Sequence, residues 1–254
     1  IISTSESWVV RRQLLRLTGS DLGRIVADVI AANLTAAPDD LAERVTGHFA
    51  RLNVTSTYWP GDDEIRRTLA TEAAYSRFPR GRLRMFLEAV EDRYRAETGQ
   101  PQIERKGYPI EHLLPRSWKD TWPVGTPEEA EARQARVHRF GNLTLLTTSL
   151  NSKVSNGPWA AKRSALQDHN TITLTGRVIK RTEHQVWDED LIDQRTAEVV
   201  EALLRVWPVP EGHLGNVVDP QMKSDDGVEL KHLIDAGLLS AGDLIVATHR
   251  DHKG

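Results

Sequence analysis

The sequence predicts an α+β protein that is mostly helical, and three observations carry that expectation. Apolar residues recur at helical spacing through the first hundred residues, in four successive segments. Between 101 and 164 the periodicity gives way to short apolar runs punctuated by Gly and Pro. From 187 to 207 a long helical pattern returns, and Pro208 ends it.

Taken in order, "SDLGRIVADVIAANL" (20–34) opens with the cap candidates Ser20 and Asp21. It sets Leu22, Ile25, Val26, Val29 and Ile30 on one face. "PDDLAERVTGHFARLN" (38–53) repeats the pattern with Leu41, Val45, Phe49 and Leu52. "GDDEIRRTLATEAAY" (61–75) begins with Asp62 and Asp63, whose charge favours a helix N-terminus. "RGRLRMFLEAVEDRYRAETG" (80–99) aligns Leu83, Phe86, Leu87, Val90 and Tyr94, then stops at Gly99 and Pro101. Its opposite face carries Arg82, Arg84, Arg93 and Arg95, either a solvated face or a phosphate-facing stripe.

The middle region reads as a strand or loop near 108–114, a polar excursion at 116–130 and a helix around 127–138. A short strand at 143–147, a turn, and a helix from about 158 to 168 follow. "TITLTGRVIK" (171–180) reads as extended. In 187–207, Leu191, Ile192, Val199, Ala202, Leu203 and Val206 form an apolar face. Residues 208–227 are rich in Pro, Gly, Asp and Asn, as a linker would be, and 228–254 begins another small module. The expected organisation is a helical domain over 1–100, a second domain over 101–207, the linker, and the partial module.

The 254 residues suffice for one large domain or two small ones. The absence of cysteine excludes disulfides, Cys-ligated zinc and a thiol nucleophile. It is compatible with a reducing cytoplasm, the expected location. A metal site would use His, Asp, Glu or Asn, a set that favours hard ions such as Mg²⁺ or Mn²⁺. No signal peptide or membrane-spanning run is evident. The start at Ile1 suggests a piece of a longer protein. The net charge of −3 argues against a surface coated throughout with nucleic acid. Residues 101–164, however, hold ten Lys/Arg against six acids, a local +4 that leaves −7 for the rest. A basic middle in an acidic chain suits a local anionic partner.

That basic segment also holds the polar constellation. "IEHLLP" (110–115) places His112 beside Glu111, and "HRFGNLTLLTTSLNSKVSNGPWAAKRSAL" (138–166) follows with His138, Asn142, Asn151, Asn156 and Lys162. A lone His in an apolar run is usually a hydrogen-bonded core residue, and Asn142 and Asn151 alone read as turn residues. Together they can do more. Phosphodiester hydrolysis needs a base to activate water, a cation for the anionic transition state, and a partner that fixes the base's tautomer. Adjacent strand residues point to opposite faces, so Glu111 and His112 could share one ion only at an irregular edge. Trp118, Trp122 and Trp159 are expected in packing rather than base stacking.

In that order, "EHxxP…GNLTLL…N…SN…K" resembles the HNH, or ββα-metal, nuclease superfamily, and most of all the C-terminal nuclease domain of GmrSD-type restriction proteins. The Asn142-to-Asn151 spacing is also similar to the HNH domain of CRISPR effector nucleases, and the resemblance covers roughly residues 55 to 207. It implies that 101–207 is an HNH-type domain with a small ββα-metal core. It implies a divalent-metal-dependent DNA endonuclease that nicks, acting in restriction and phage defence. His112 would be the general base, and Asn142 would orient the loop and that base. Glu111, standing where many relatives have Asp, and Asn151 would ligate Mg²⁺ or Mn²⁺. Lys162 would touch phosphate, and His138 belongs to the motif without an assigned role. Arg116, Arg139, Lys153, Lys162 and Arg163 are the expected DNA contacts. An upstream ParB-like NTPase domain is the expected partner, and SspE-like proteins, which respond to phosphorothioate-modified DNA, are one possible branch. Residues 228–248 resemble the opening of a module found with restriction and adenine-methylase proteins. The competing functions are a catalytically silent DNA-binding module and an interaction scaffold.

Overall fold

The computed structural model describes residues 1–104, 106–154, 157–215 and 217, with the backbone alone for 152–154. In chain order its elements are α1 (Ile2–Leu14), α2 (Leu22–Asn33), α3 (Leu41–Ala50), α4 (Asp62–Thr71), α5 (Ala74–Arg77), α6 (Arg80–Glu97) and β1 (Ile110–His112). After them come α7 (Pro127–Gln134), a 3-10 turn (Phe140–Asn142), β2 (Leu143–Leu145), α8 (Thr148–Val154), α9 (Trp159–His169), α10 (Thr173–Arg181) and α11 (Glu189–Val206). The architecture is α+β and mostly helical, with one two-stranded sheet among the described residues. No described helix is long and apolar enough to cross a membrane. Most of the linker segment, Asn156 and all of 228–254 lie outside the described residues.

Local chemistry explains several boundaries. Thr126 and Glu129 form a reciprocal capping box at the start of α7, with Pro127 in its first turn. Asp188 accepts a hydrogen bond from the Leu191 amide at the start of α11. Two segments depart from expectation. Residues 173–181 form α10 rather than an extended run. Leu174 and Val178, one turn apart, are both fully buried, and burial of that face outweighs the weak strand preference of Thr171, Ile172 and Thr173. Residues 148–154, expected as a turn, form α8.

Helix α11 packs against α4, α6 and the 3-10 turn. One apolar cluster therefore runs from Leu14 and Leu69 through Leu83, Phe86 and Phe140 to Leu203. This cluster draws on residues both before and after position 100. A second cluster joins Leu113, Trp118, Trp122, Trp159, Trp187 and Ile192, so the tryptophans are packing residues. A third gathers Trp8, Ile25, Val45, Phe49 and Trp59. Of the face expected on α2, Ile25 is buried and Val29 packs against this third cluster, whereas Leu22, Val26 and Ile30 are exposed.

Two arginines of the face expected on α6, Arg84 and Arg95, are committed within the fold. Arg95 is buried and donates to Glu91 at 2.6 Å, and to the Thr171 carbonyl. Glu91 also accepts from the amides of Thr173 and Leu174, so this pair ties α6 to the start of α10. Arg84 donates to the Tyr108 carbonyl, and Arg93 pairs with Glu97.

Candidate functional site

The two strands pair antiparallel, with Ile110 opposite Leu145, Glu111 opposite Thr144 and His112 opposite Leu143. Strand alternation then divides the motif. Ile110, His112, Leu143 and Leu145 share one face, turned toward the main core. Glu111 and Thr144 share the other, turned toward α9 and α10, where Thr144 meets the Thr175 hydroxyl at 2.6 Å.

Asn142 sets the geometry between the strands. It is fully buried. Its Oδ1 accepts from the Leu114 amide at 2.7 Å and from Trp187 Nε1 at 3.2 Å. Its Nδ2 donates to the carbonyls of Leu114 and Val137, each at 2.8 Å. Donors face the oxygen and acceptors face the nitrogen, so the amide orientation follows from its partners. Leu114 lies two residues beyond His112, and Val137 directly precedes His138, so one side chain sets the spacing of both histidines.

Helix α11 holds this turn in place. A Cβ at Gly141 would stand 2.0 Å from the Ile192 carbonyl oxygen, so only glycine admits the helix backbone this closely. The Gly141 amide donates to Thr196 Oγ1 at 3.0 Å. Buried Arg195 donates to the carbonyls of Gly141 and Leu143.

His112 Nε2 lies 3.1 Å from His138 Nδ1. Tyr75 completes the group, edge-on to His112 at 4.3 Å and stacked with His138 at 5.6 Å. Its amide donates to the His138 carbonyl at 3.1 Å. Burial pushes the His112 pKa down to about 3, aided by His138, Arg116, Lys162 and Arg80. Burial and the same two arginines also lower that of His138. Both rings are therefore neutral at pH 7, and one proton must lie between the paired nitrogens.

On the opposite face, the buried Lys162 ammonium is fully engaged. It donates to Glu111 Oε1 at 2.8 Å and to the carbonyls of His112 and Leu113. Burial lowers its pKa against the opposing pull of Glu111. All three donors serve the strand, so the expected reach of Lys162 to phosphate is not the observed geometry. Asn151 lies on α8; its Oδ1 is buried and has no hydrogen-bond partner among the described residues. No hydrogen bond joins Asn151 to Glu111 or to either histidine among the described residues.

Among the described residues no three His, Cys, Asp or Glu side chains cluster to hold a metal. Two protein oxygens can still suffice for Mg²⁺, which keeps several of its waters. The unpartnered Asn151 oxygen is a hard donor of the fitting kind, and so is the Glu111 carboxylate, although its Oε1 is engaged by Lys162.

Of the expected DNA contacts, Arg139 is paired with Asp193 and mostly buried. Arg163 donates to Gln167 and the Ile179 carbonyl. The Lys153 side chain lies outside the described residues. Arg116 alone of the described set is exposed and without a described hydrogen bond or ion pair. Sequence reasoning missed Tyr75, Arg80, Trp187 and Arg195 as builders of the site. Tyr75, 37 residues before His112, and Arg80 lie in the upstream stretch 59–91 that fits the family resemblance, which assigned neither a role. Trp187 and Arg195 belong to the downstream pattern "W…I..R…W" (187–207), which fits the family resemblance but assigned them no role.

The site thus presents a neutral, desolvated histidine on a strand, paired with a second histidine and near two arginines. The family model described as GmrSD restriction endonucleases, C-terminal domain, matches residues 59–202, and the chain belongs to that family. Membership carries a nuclease role in restriction. The matched span takes in α4 to α6 as well as the hairpin, so the helices that bring Tyr75 to His112 belong to the same unit. Neither the curated proteins nor the solved structures gave a match.

Proposed function

We propose that the chain is an HNH-type, divalent-metal-dependent DNA endonuclease that nicks one strand at a time in anti-phage restriction. The observation that carries the reading is the His112 Nε2 to His138 Nδ1 hydrogen bond. If Nε2 carries the shared proton, His112 Nδ1 keeps a free lone pair and can take a proton from water. His138 then serves as the partner that sets the tautomer, and Asn142 as the clamp that sets the spacing.

Glu111 and Asn151 would hold Mg²⁺ or Mn²⁺, which when bound supplies positive charge against the phosphoryl oxygens and acidifies water. Lys162 holds Glu111 and the strand carbonyls in position. The water oxygen attacks phosphorus, its proton passes to His112, and the bond to O3′ breaks. The products are a 5′-phosphate and a 3′-hydroxyl, the leaving oxygen taking its proton from solvent. A base of pKa about 3 is weak in the substrate-free protein. A phosphate anion beside Arg80 and Arg116 offsets part of the charge that depresses it, and the base strengthens when substrate arrives. An upstream ParB-like NTPase domain belongs to this proposal as the partner in the full-length protein, and co-purification of the two tests it.

Supercoiled plasmid incubated with Mg²⁺ or Mn²⁺ tests the activity. Nicked circles that vanish with EDTA and with His112→Ala support the reading. Equal cutting by wild type and His112→Ala removes His112 from the role of base.

A further inference from the structure

We propose that Arg80 and Arg116 form a clamp for a phosphodiester group beside His112, so that helix α6 supplies a substrate-gripping residue to the site. The identity of the anion as a nucleic-acid phosphate rests on the nuclease reading above; the clamp itself rests on geometry. The Arg80 guanidinium lies over the Tyr75 ring, 3.4 Å from its centre, and the Arg116 guanidinium lies 5.8 Å from the same centre. Tyr75 in turn touches both His112 and His138. Two cations therefore converge on the histidine pair through one aromatic platform.

Neither arginine is neutralised by a described carboxylate. Arg133, Arg136, Arg139 and Arg181, elsewhere on the same region, each meet a carboxylate. Arg80 and Arg116 are exposed, and neither ion-pairs with a described carboxylate. Arg80 donates one hydrogen bond, to the Tyr75 carbonyl, and Arg116 donates none to a described residue. The remaining guanidinium N–H groups are free to take two phosphate oxygens in a fork. Stacking on Tyr75 and the carbonyl bond fix the plane of Arg80 beforehand, which reduces the entropy lost on binding. Burial is the main cause of the lowered pKa of both histidines, and the smaller contribution of both arginines is consistent with this proximity.

The test uses the full chain and a fluorescein-labelled duplex of about 20 base pairs, titrated by anisotropy in EDTA at several salt concentrations, with plasmid nicking in Mg²⁺ alongside. Arg116→Ala breaks no described bond, and Arg80→Lys keeps the charge if Arg80→Ala perturbs folding. Arg24→Ala, a change of equal charge on α2, is the control. We expect Arg80→Ala and Arg116→Ala each to weaken binding roughly 5- to 10-fold and to lower the slope of log affinity against log salt by about 0.9. Arg80→Lys recovers part of the loss, and Arg24→Ala changes neither quantity. Wild-type nicking with unchanged binding and nicking in both clamp variants overturns the clamp and leaves the nuclease reading standing. Weakened binding in the variants of a wild type that never nicks supports the clamp and removes the nuclease reading. Loss in Arg24→Ala equal to that in Arg80→Ala, or a wild type that binds no duplex, also overturns the clamp.

Discussion

Asn142→Asp replaces one amide nitrogen by oxygen and leaves the shape of the side chain unchanged. The two donors to Oδ1, the Leu114 amide and Trp187 Nε1, keep their acceptor. The carbonyls of Leu114 and Val137 lose their donor and face an oxygen across 2.8 Å. Each buried group left unpaired costs about 1–3 kcal/mol, so two cost roughly 2–6 kcal/mol. Protonation of the new carboxyl restores one of the two bonds, which raises its native pKa above the ordinary value of about 3.9. The sign follows from linkage. A native pKa above the unfolded one gives stability that is present below the unfolded pKa and lost as pH rises toward the native one, at about 1.4 kcal/mol per unit. The penalty should therefore be about 2 kcal/mol near pH 4.5 and about 4 kcal/mol at pH 7. Urea unfolding followed by tryptophan fluorescence measures both, with Trp187 itself in the bond network. A penalty below about 0.5 kcal/mol at pH 7, or one independent of pH, would refute the clamp described for Asn142.

Further expectations concern the supports of the site. Gly141→Ala forces a methyl group against the Ile192 carbonyl and should cost about 3 kcal/mol, read as a lower urea midpoint; an unchanged midpoint contradicts the close packing of α11 on the turn. Lys162→Met strands Glu111 and two strand carbonyls and should cost about 2 kcal/mol, less than a fully buried pair because Glu111 is partly exposed. A double-mutant cycle with Glu111→Gln should return a coupling of about 1 kcal/mol or more, and strict additivity would deny the pairing. In EDTA, His112, with its native pKa about 3, contributes stability that is complete above the unfolded value of 6.5 and declines as pH falls toward 3. Wild type should therefore lose about 1.4 kcal/mol per pH unit more than His112→Ala between pH 6 and 4, and parallel curves for the two proteins would show that His112 is not held neutral.

Helix positions were legible because periodicity is local. Leu83, Phe86, Leu87, Val90 and Tyr94 mark the buried face of α6 in sequence as in structure. The ordered residues around His112, Asn142 and Asn151 were legible because their types and spacing are unusual together. Segment 171–180 was misread because its β-branched residues speak for a strand, while the space between α6, α9 and β2 accepts a helix. The exposure of Leu22, Val26 and Ile30 was equally hidden, since an apolar stripe does not state what covers it.

By itself, then, the sequence determined the helical periodicity, the basic middle and the inventory of polar groups, all properties of neighbouring residues. Tertiary structure alone decided which of those groups meet. It turned Glu111 and His112 to opposite faces, spent Lys162 on strand carbonyls and Arg139 on Asp193, and left Arg116 beside Arg80. It also brought Tyr75, distant in the chain, against both histidines. Burial, pairing and pKa depend on distances across the core, and those are set by how α11 packs on Gly141 rather than by any local run of residues.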